Sequence, residues 1–189
     1  MINMRRLLDA IRLAHLTYFS KPPGDRIIYR AIRRNRARRI LEVGLRTGQR
    51  ARRMIEAATR GTDELVNYAG IDLFELRPPA ESDGLSLKEI HSLLKTTPAR
   101  VRLIPGDPFT ALARMANEIG SCDLIVIASD QPTESLERAW FYVPRLLHAA
   151  TSVFIERPGS EQTPARFELL AHDEIRRRAA QCRPRRRAA

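Results

Sequence analysis

RRILEVGLRTGQRA, residues 38 to 51, sets a short apolar run directly against a carboxylate, a glycine, three unlike residues and a second glycine. Ile40 to Val43 read as a buried strand and the stretch from Gln49 as the start of a helix, so the glycines mark the turn between them. Gly44 leaves the strand end free of a side chain that would block a ligand. Gly48 lets the next helix begin close by, with its backbone amides facing a cleft. The pattern E-x-G-x-x-x-G is looser than the dinucleotide fingerprint, because Arg46 stands where G-x-G-x-x-G needs its second glycine. A pyrophosphate would be crowded there.

The same alternation recurs along the chain. Strands are expected at ILEV (40–43), VNYAGI (66–71), VRLI (101–104), LIVIA (124–128) and SVFI (152–155), with helical patterns QRARRMIEAAT, SLKEIHSLLKT, PFTALARMANEI and TESLERAWFYVPRLLHAA between them. Ser86 and Glu89 have capping-box spacing, and Pro144 should bend or break the last of these helices. Short apolar strands alternating with helices imply right-handed βαβ units on a buried parallel sheet, so the expected fold class is α/β, doubly wound and Rossmann-like. Ahead of the first strand, MRRLLDAIRLAHLTYF and DRIIYRAIRRN read as helices separated by KPPG, with Asp25 placed to cap the second. They make an N-terminal extension, 1–36, that forms either a lid or a homodimer surface. Residues 37–182 would be the sheet domain and 183–189 a basic tail. Beyond the fifth strand ARFELLAHDEIRRRAAQC reads mostly as helix, which leaves scant room for a sixth and a seventh strand and predicts a truncated sheet.

Composition narrows the classes. No run approaches the roughly 20 apolar residues that span a bilayer, so no membrane partner is expected. Cys122 and Cys182 lack a second pair, which suits a reducing compartment and a cytoplasmic location. The net charge of +11 admits nucleic acid as a partner, with clusters at Arg33, Arg34, Arg36, Arg38 and Arg39 and in the tail from Arg176. Yet only Lys21, Lys88 and Lys95 are lysines, so the excess equally fits a general arginine habit.

In a doubly wound sheet ligands lie beyond the carboxyl ends of the strands. Those ends carry Glu42, Gly44 and Gly48, then Asp72, then Gly106 and Asp107, then Asp130. Asp72 can accept both hydroxyls of a ribose, Asp107 the amino group of an adenine, and Glu42 can hold a cationic amine. Ribose, adenine and an ammonium without a pyrophosphate describe S-adenosylmethionine. Asp107 and Asp130 also sit where each could simply cap the helix that follows.

Over about residues 38 to 157 the chain resembles the class I S-adenosylmethionine-dependent methyltransferases, on LEVGLRTG, YAGIDLFE, RLIPGDPF and DLIVIASDQPTE. It is most similar to the small methyltransferases with EIG-xxx-GGS, GID and IDGDH motifs. The resemblance implies Glu42 and Gly44 at the methionine end, Thr47 and Gly48 in the loop beneath, Asp72 with Leu73 at the ribose, and Asp107, Pro108 and Phe109 at the adenine. It implies Asp130 as the catalytic residue, at the floor of the methyl-transfer site.

The last motif departs from that pattern. Ala128 removes a carboxylate and Gln131 an imidazole, while the fifth strand ends in Glu156 and Arg157. One carboxylate at Asp130 and a distant Glu156 would hold a dication poorly, so no metal is expected. The implied function is metal-independent methyl transfer to a small-molecule or nucleotide-containing acceptor. The alternative is a catalytically degenerate module that binds nucleic acid or a protein partner through its basic surface.

Overall fold

The computed structural model describes residues 4–60, 64–78, 84–160 and 162–182. Helices α1 (Met4–Tyr18) and α2 (Arg26–Asn35) flank a 3₁₀ turn at Pro23–Asp25. Then follow β1 (Arg39–Val43), α3 (Gln49–Thr59), β2 (Asn67–Asp72), α4 (Leu87–Lys95), β3 (Arg100–Pro105), α5 (Pro108–Ile119), β4 (Leu124–Ile127), α6 (Thr133–Ala139), β5 (Ser152–Arg157), β6 (Arg166–Leu170) and α7 (His172–Gln181). The strands form one sheet in the order β3-β2-β1-β4-β5-β6, parallel except for β6, which runs antiparallel to β5.

Two apolar layers cover the sheet. On one face Leu16, Ile28, Tyr29 and Ile32 of the N-terminal helices join Met54, Ile55 and Tyr68. On the other, Val43, Ile71, Leu112, Ile125, Trp140 and Val153 pack together. Helices on both sides bury every residue of β4, which is why its sequence is a continuous apolar run rather than an alternating one. Trp140, at the carboxyl end of α6, is fully buried, with the Arg178 guanidinium 5.0 Å from its ring. Along α1, Met4, Leu7, Leu8 and Ile11 are exposed.

Three expectations need correction. The segment read mostly as helix from 165 to 182 splits: Arg166–Leu170 pairs with the open edge of β5, Arg166 opposite Arg157 and Leu170 opposite Val153. Burying Phe167 and Leu170 and filling the ladder of β5 outweigh the helix propensity of Glu168, Leu169 and Leu170. The expected truncation therefore takes the form of a single closing strand, and the tail from Arg183 lies outside the described residues. The long helix expected from Thr133 ends at Ala139, and Pro144 sits in a separate 3₁₀ turn at Val143–Leu146. Asp25 does not cap α2: it is buried and accepts a hydrogen bond from Tyr29 Oη (3.2 Å). The Ser86 to Glu89 capping box is present in both directions.

Candidate cofactor cleft

Strand order reverses between β1 and β4, and a cavity of about 480 Å³ opens there at the carboxyl ends of the strands. Its walls include Arg46, Asp72, Leu73, Arg77, Asp130 and Gln131. The volume lies within the usual range for small-ligand sites.

The loop from β1 to α3 is left-handed at three places, Gly44 (φ 87°), Arg46 (φ 51°) and Gly48 (φ 68°). A Cβ at Gly44 would overlap Gln131 Nε2 and Ala128 Cβ, and one at Gly48 would strike Ile90, so both glycines are needed for close approach as well as for dihedral freedom. Asp72 holds the loop in place. Its Oδ2 accepts the backbone N–H of Leu45 (2.6 Å) and of Arg46 (3.1 Å), and its Oδ1 accepts Phe74 N–H (3.2 Å) and Arg77 Nη2 (2.5 Å). A carboxylate has about four acceptor positions, and all four are occupied.

Glu42 is fully buried. Arg50 Nε donates to its Oε1 (2.6 Å), Tyr68 Oη donates to its Oε2, and Arg50 Nη2 also reaches Gly44 O (2.9 Å). Burial pushes the Glu42 carboxyl up and the Arg50 charge with the Tyr68 hydrogen bond only partly offsets it; burial beside Glu42 likewise raises the Tyr68 phenol. Glu42 thus braces the loop from beneath, apart from the cavity lining.

Arg46 crosses the end of β4 to reach β5. Its Nε donates to Asp130 Oδ2 (2.7 Å), its Nη2 to Glu156 Oε2 (3.0 Å) and Ser129 Oγ (3.3 Å), and its Nη1 to Glu156 Oε1 (3.5 Å). Burial alone would raise the Asp130 carboxyl, but the Arg46 hydrogen bond and charge, with Gln131, hold it below the usual carboxylate range. Ser129 N–H (3.0 Å) and Oγ (3.2 Å) complete the shell of Glu156. Glu156, expected to be distant, therefore shares one guanidinium with Asp130.

Asp107 caps α5 through Phe109 N–H and Thr110 N–H, both at 3.1 Å, and accepts Ser135 Oγ. Burial would lift its carboxyl; those hydrogen bonds outweigh it and hold it low. Phe109 packs on Tyr142 beneath the Arg138 guanidinium, Pro108 is buried at the start of α5, and Thr47 is exposed in the loop. Sequence reasoning passed over Arg50, Arg77 and Tyr68; the only signal for the two arginines was their place just after strand ends that carry a carboxylate.

All four acceptor positions of Asp72 being filled, a ribose could meet this carboxylate only in exchange for one of its present donors, of which Arg77 is the one side chain. Glu42, the carboxylate expected to meet an ammonium, is already paired with Arg50, and Asp130 and Glu156 are each held by Arg46. A dication fits less well, because both of these carboxylates already grip a guanidinium.

No protein-family model matches the chain, and no curated protein does. Solved structures do resemble it. An O-methyltransferase from Bacillus cereus in complex with SAH aligns over 82% of this chain and 67% of its own, at 16% identity and a TM-score of 0.53. The O-methyltransferase TomG from Streptomyces achromogenes, in complex with SAM and involved in tomaymycin synthesis, aligns over 82% and 66%, at 15% identity and 0.54. Cofactor-bound Rv0187 from MTB aligns over 95% and 77%, at 16% identity and 0.51. The chain spans about two thirds of the length of the first two. At such identities the likeness is one of architecture: this chain has the Rossmann-like fold of the S-adenosylmethionine-dependent methyltransferases.

Proposed function

We propose that the chain is a metal-independent methyltransferase that uses S-adenosylmethionine and acts on a small-molecule or nucleotide-containing acceptor. The observation that carries the reading is the cavity at the β1/β4 switch, with Asp72 on one wall and Asp130 on another, in a fold shared with structures solved with SAM or SAH. When bound, the cofactor would supply an activated methyl group. The bond from the acceptor forms as the carbon–sulfur bond breaks, so the protein's task is to align the two and exclude water. Gly44, Thr47 and Gly48 shape the floor, Asp72 and Leu73 take the ribose as Arg77 swings aside, and Asp107, Pro108 and Phe109 border the adenine. Glu42 acts from below by fixing Arg50 and the loop, and Asp130 orients the acceptor. Calorimetry with S-adenosylmethionine and with its demethylated product tests the reading: one site per chain is expected for each, and absence of heat with both rejects it.

A second reading, a basic module that binds nucleic acid, draws on α2 and the turn after it. There Arg30, Arg33, Arg34 and Arg36 are exposed, and none forms an ion pair with a carboxylate among the described residues. Replacing Arg30, Arg33 and Arg34 with serine should then weaken RNA binding and flatten its salt dependence. Unchanged binding would leave these arginines as a habit of composition.

A further inference from the structure

The carboxylates at the ends of β4 and β5 converge on a cation that the chain itself supplies. Glu156 is almost wholly buried, with 6% of its side chain exposed, and Arg46 meets it through both terminal nitrogens, a fork suited to a carboxylate. Asp130 takes the Nε of the same guanidinium. Arg46 has the backbone of a glycine, at φ 51°, in a loop whose other left-handed positions on either side are glycines. An arginine there is strained relative to a relaxed residue, so local backbone preference does not account for it. What the position gains is a charge placed across the floor of the cleft. The hydrogen bonds of the guanidinium engage four of its five N–H groups and leave one on Nη1, while 38% of the side chain remains exposed at the cavity.

We propose that Arg46 is the resident cation of the acceptor end: its guanidinium fills the place between Asp130 and Glu156 that a divalent ion would otherwise take, and offers its remaining N–H to an anionic oxygen of the acceptor. The second half of this assignment rests on the methyltransferase reading; the first does not. Glu156 also lies 4.0 Å from Arg50 Nη1, so Arg46 does not balance that carboxylate alone and keeps charge to offer a ligand oxygen. An amine acceptor would meet the guanidinium head on, whereas an ionised oxygen is held by it. No change of oxidation state is involved. The acceptor's proton goes to solvent before transfer, and the oxygen–carbon bond forms as the carbon–sulfur bond breaks.

Removing the guanidinium should expose the latent dication site. Arg46→Gly relaxes the backbone, and Arg46→Asn keeps a residue that tolerates the left-handed region, so the pair guards against one variant misfolding. Manganese binding is followed by loss of the free-ion electron paramagnetic resonance signal. The wild-type chain should bind manganese at least about ten-fold more weakly than either variant, and Arg46→Lys should behave like wild type. Adding Glu156→Gln to Arg46→Gly should abolish the gain. Wild-type binding as tight as that of Arg46→Gly would overturn the proposal, and so would no binding by both variants when their thermal melts show them folded. The anionic oxygen is tested with 4-nitrophenol, whose ionised form alone is yellow. At a pH about two units below the pKa of the free probe, wild type should raise the ionised fraction of bound probe roughly ten-fold, and Arg46→Asn should not. A probe that stays colourless or unbound with the wild type removes that half of the proposal. Calorimetry with S-adenosylmethionine on the same proteins keeps the readings apart: no cofactor heat with the manganese pattern intact sinks the methyltransferase and spares the cation.

Discussion

Replacing Arg50 with methionine should strand a carboxylate in the centre of the fold. Glu42 has no exposed side chain and Arg50 only 10%, and their 2.6 Å contact is supplemented by the phenol of Tyr68. Breaking a buried pair by removing one partner costs about 3 to 5 kcal/mol, because the remaining charge has lost both water and its counter-ion. At about 2 to 4 °C per kcal/mol for a chain of this size, the melting temperature should fall by roughly 6 to 20 °C. The loss should also depend on pH in a definite direction. The folded Glu42 carboxyl titrates above its ordinary value because burial penalises its charge, so its contribution is most favourable at acid pH and declines as pH rises through the folded value. Without Arg50 that value climbs further and the decline extends upward. Urea denaturation at about pH 5 and about pH 8 should therefore show a smaller cost for Arg50→Met at the lower pH. Adding Glu42→Gln removes the stranded charge while keeping an acceptor for Tyr68, and should recover most of the stability. A double variant no better than Arg50→Met, or an equal loss at both pH values, would refute the buried-pair argument.

Gly44→Ala forces a side chain into the left-handed region and onto Gln131 and Ala128, so it should lower stability by at least about 1 to 2 kcal/mol and abolish cofactor binding; an unchanged melt contradicts the crowding. Asp72→Asn should weaken S-adenosylmethionine binding by about 2 to 4 kcal/mol and more than Asp130→Asn does, since it loosens the loop as well as the ribose contact; calorimetry giving equal losses rejects that placement. Methyl transfer should survive a chelator, and activity that is abolished by one and restored by magnesium would contradict metal independence.

The parallel part of the fold was legible because periodicity and strand-end chemistry point the same way. Residues 108–119 read as a helix and are one, since Asp107 caps it, Pro108 starts it and its apolar spacing is helical. The segment 166–170 misled because its residues favour a helix in isolation, and only the unpaired edge of β5 makes them a strand. At the cleft, Asp72 and Asp130 were legible from their places at the end of β2 and just after β4. Their partners were not. Arg77 closes on Asp72 over a gap of five residues, and Arg46 closes on Glu156 over a gap of 110, distances that no local pattern encodes. Arginines are so common in this chain that the ones with a structural duty look like all the others.

Trp140 is the chain's single tryptophan, and its burial makes it an optical probe already in place. The indole N–H has no hydrogen-bond partner among the described residues, so its native emission should be blue-shifted and should move sharply to the red when water reaches it on unfolding. Its position matters as much as its burial. The ring closes the far end of α6, whose near end follows directly from Asp130, Gln131 and Pro132 at the cleft. The indole thus sits one helix of 7 residues away from the cleft, with the Arg178 guanidinium 5.0 Å from its ring, so a change in that loop that reaches α6 would be read in its emission. Cofactor titrations and denaturation curves can therefore be read from one unlabelled fluorophore, without substituting any residue of the cleft.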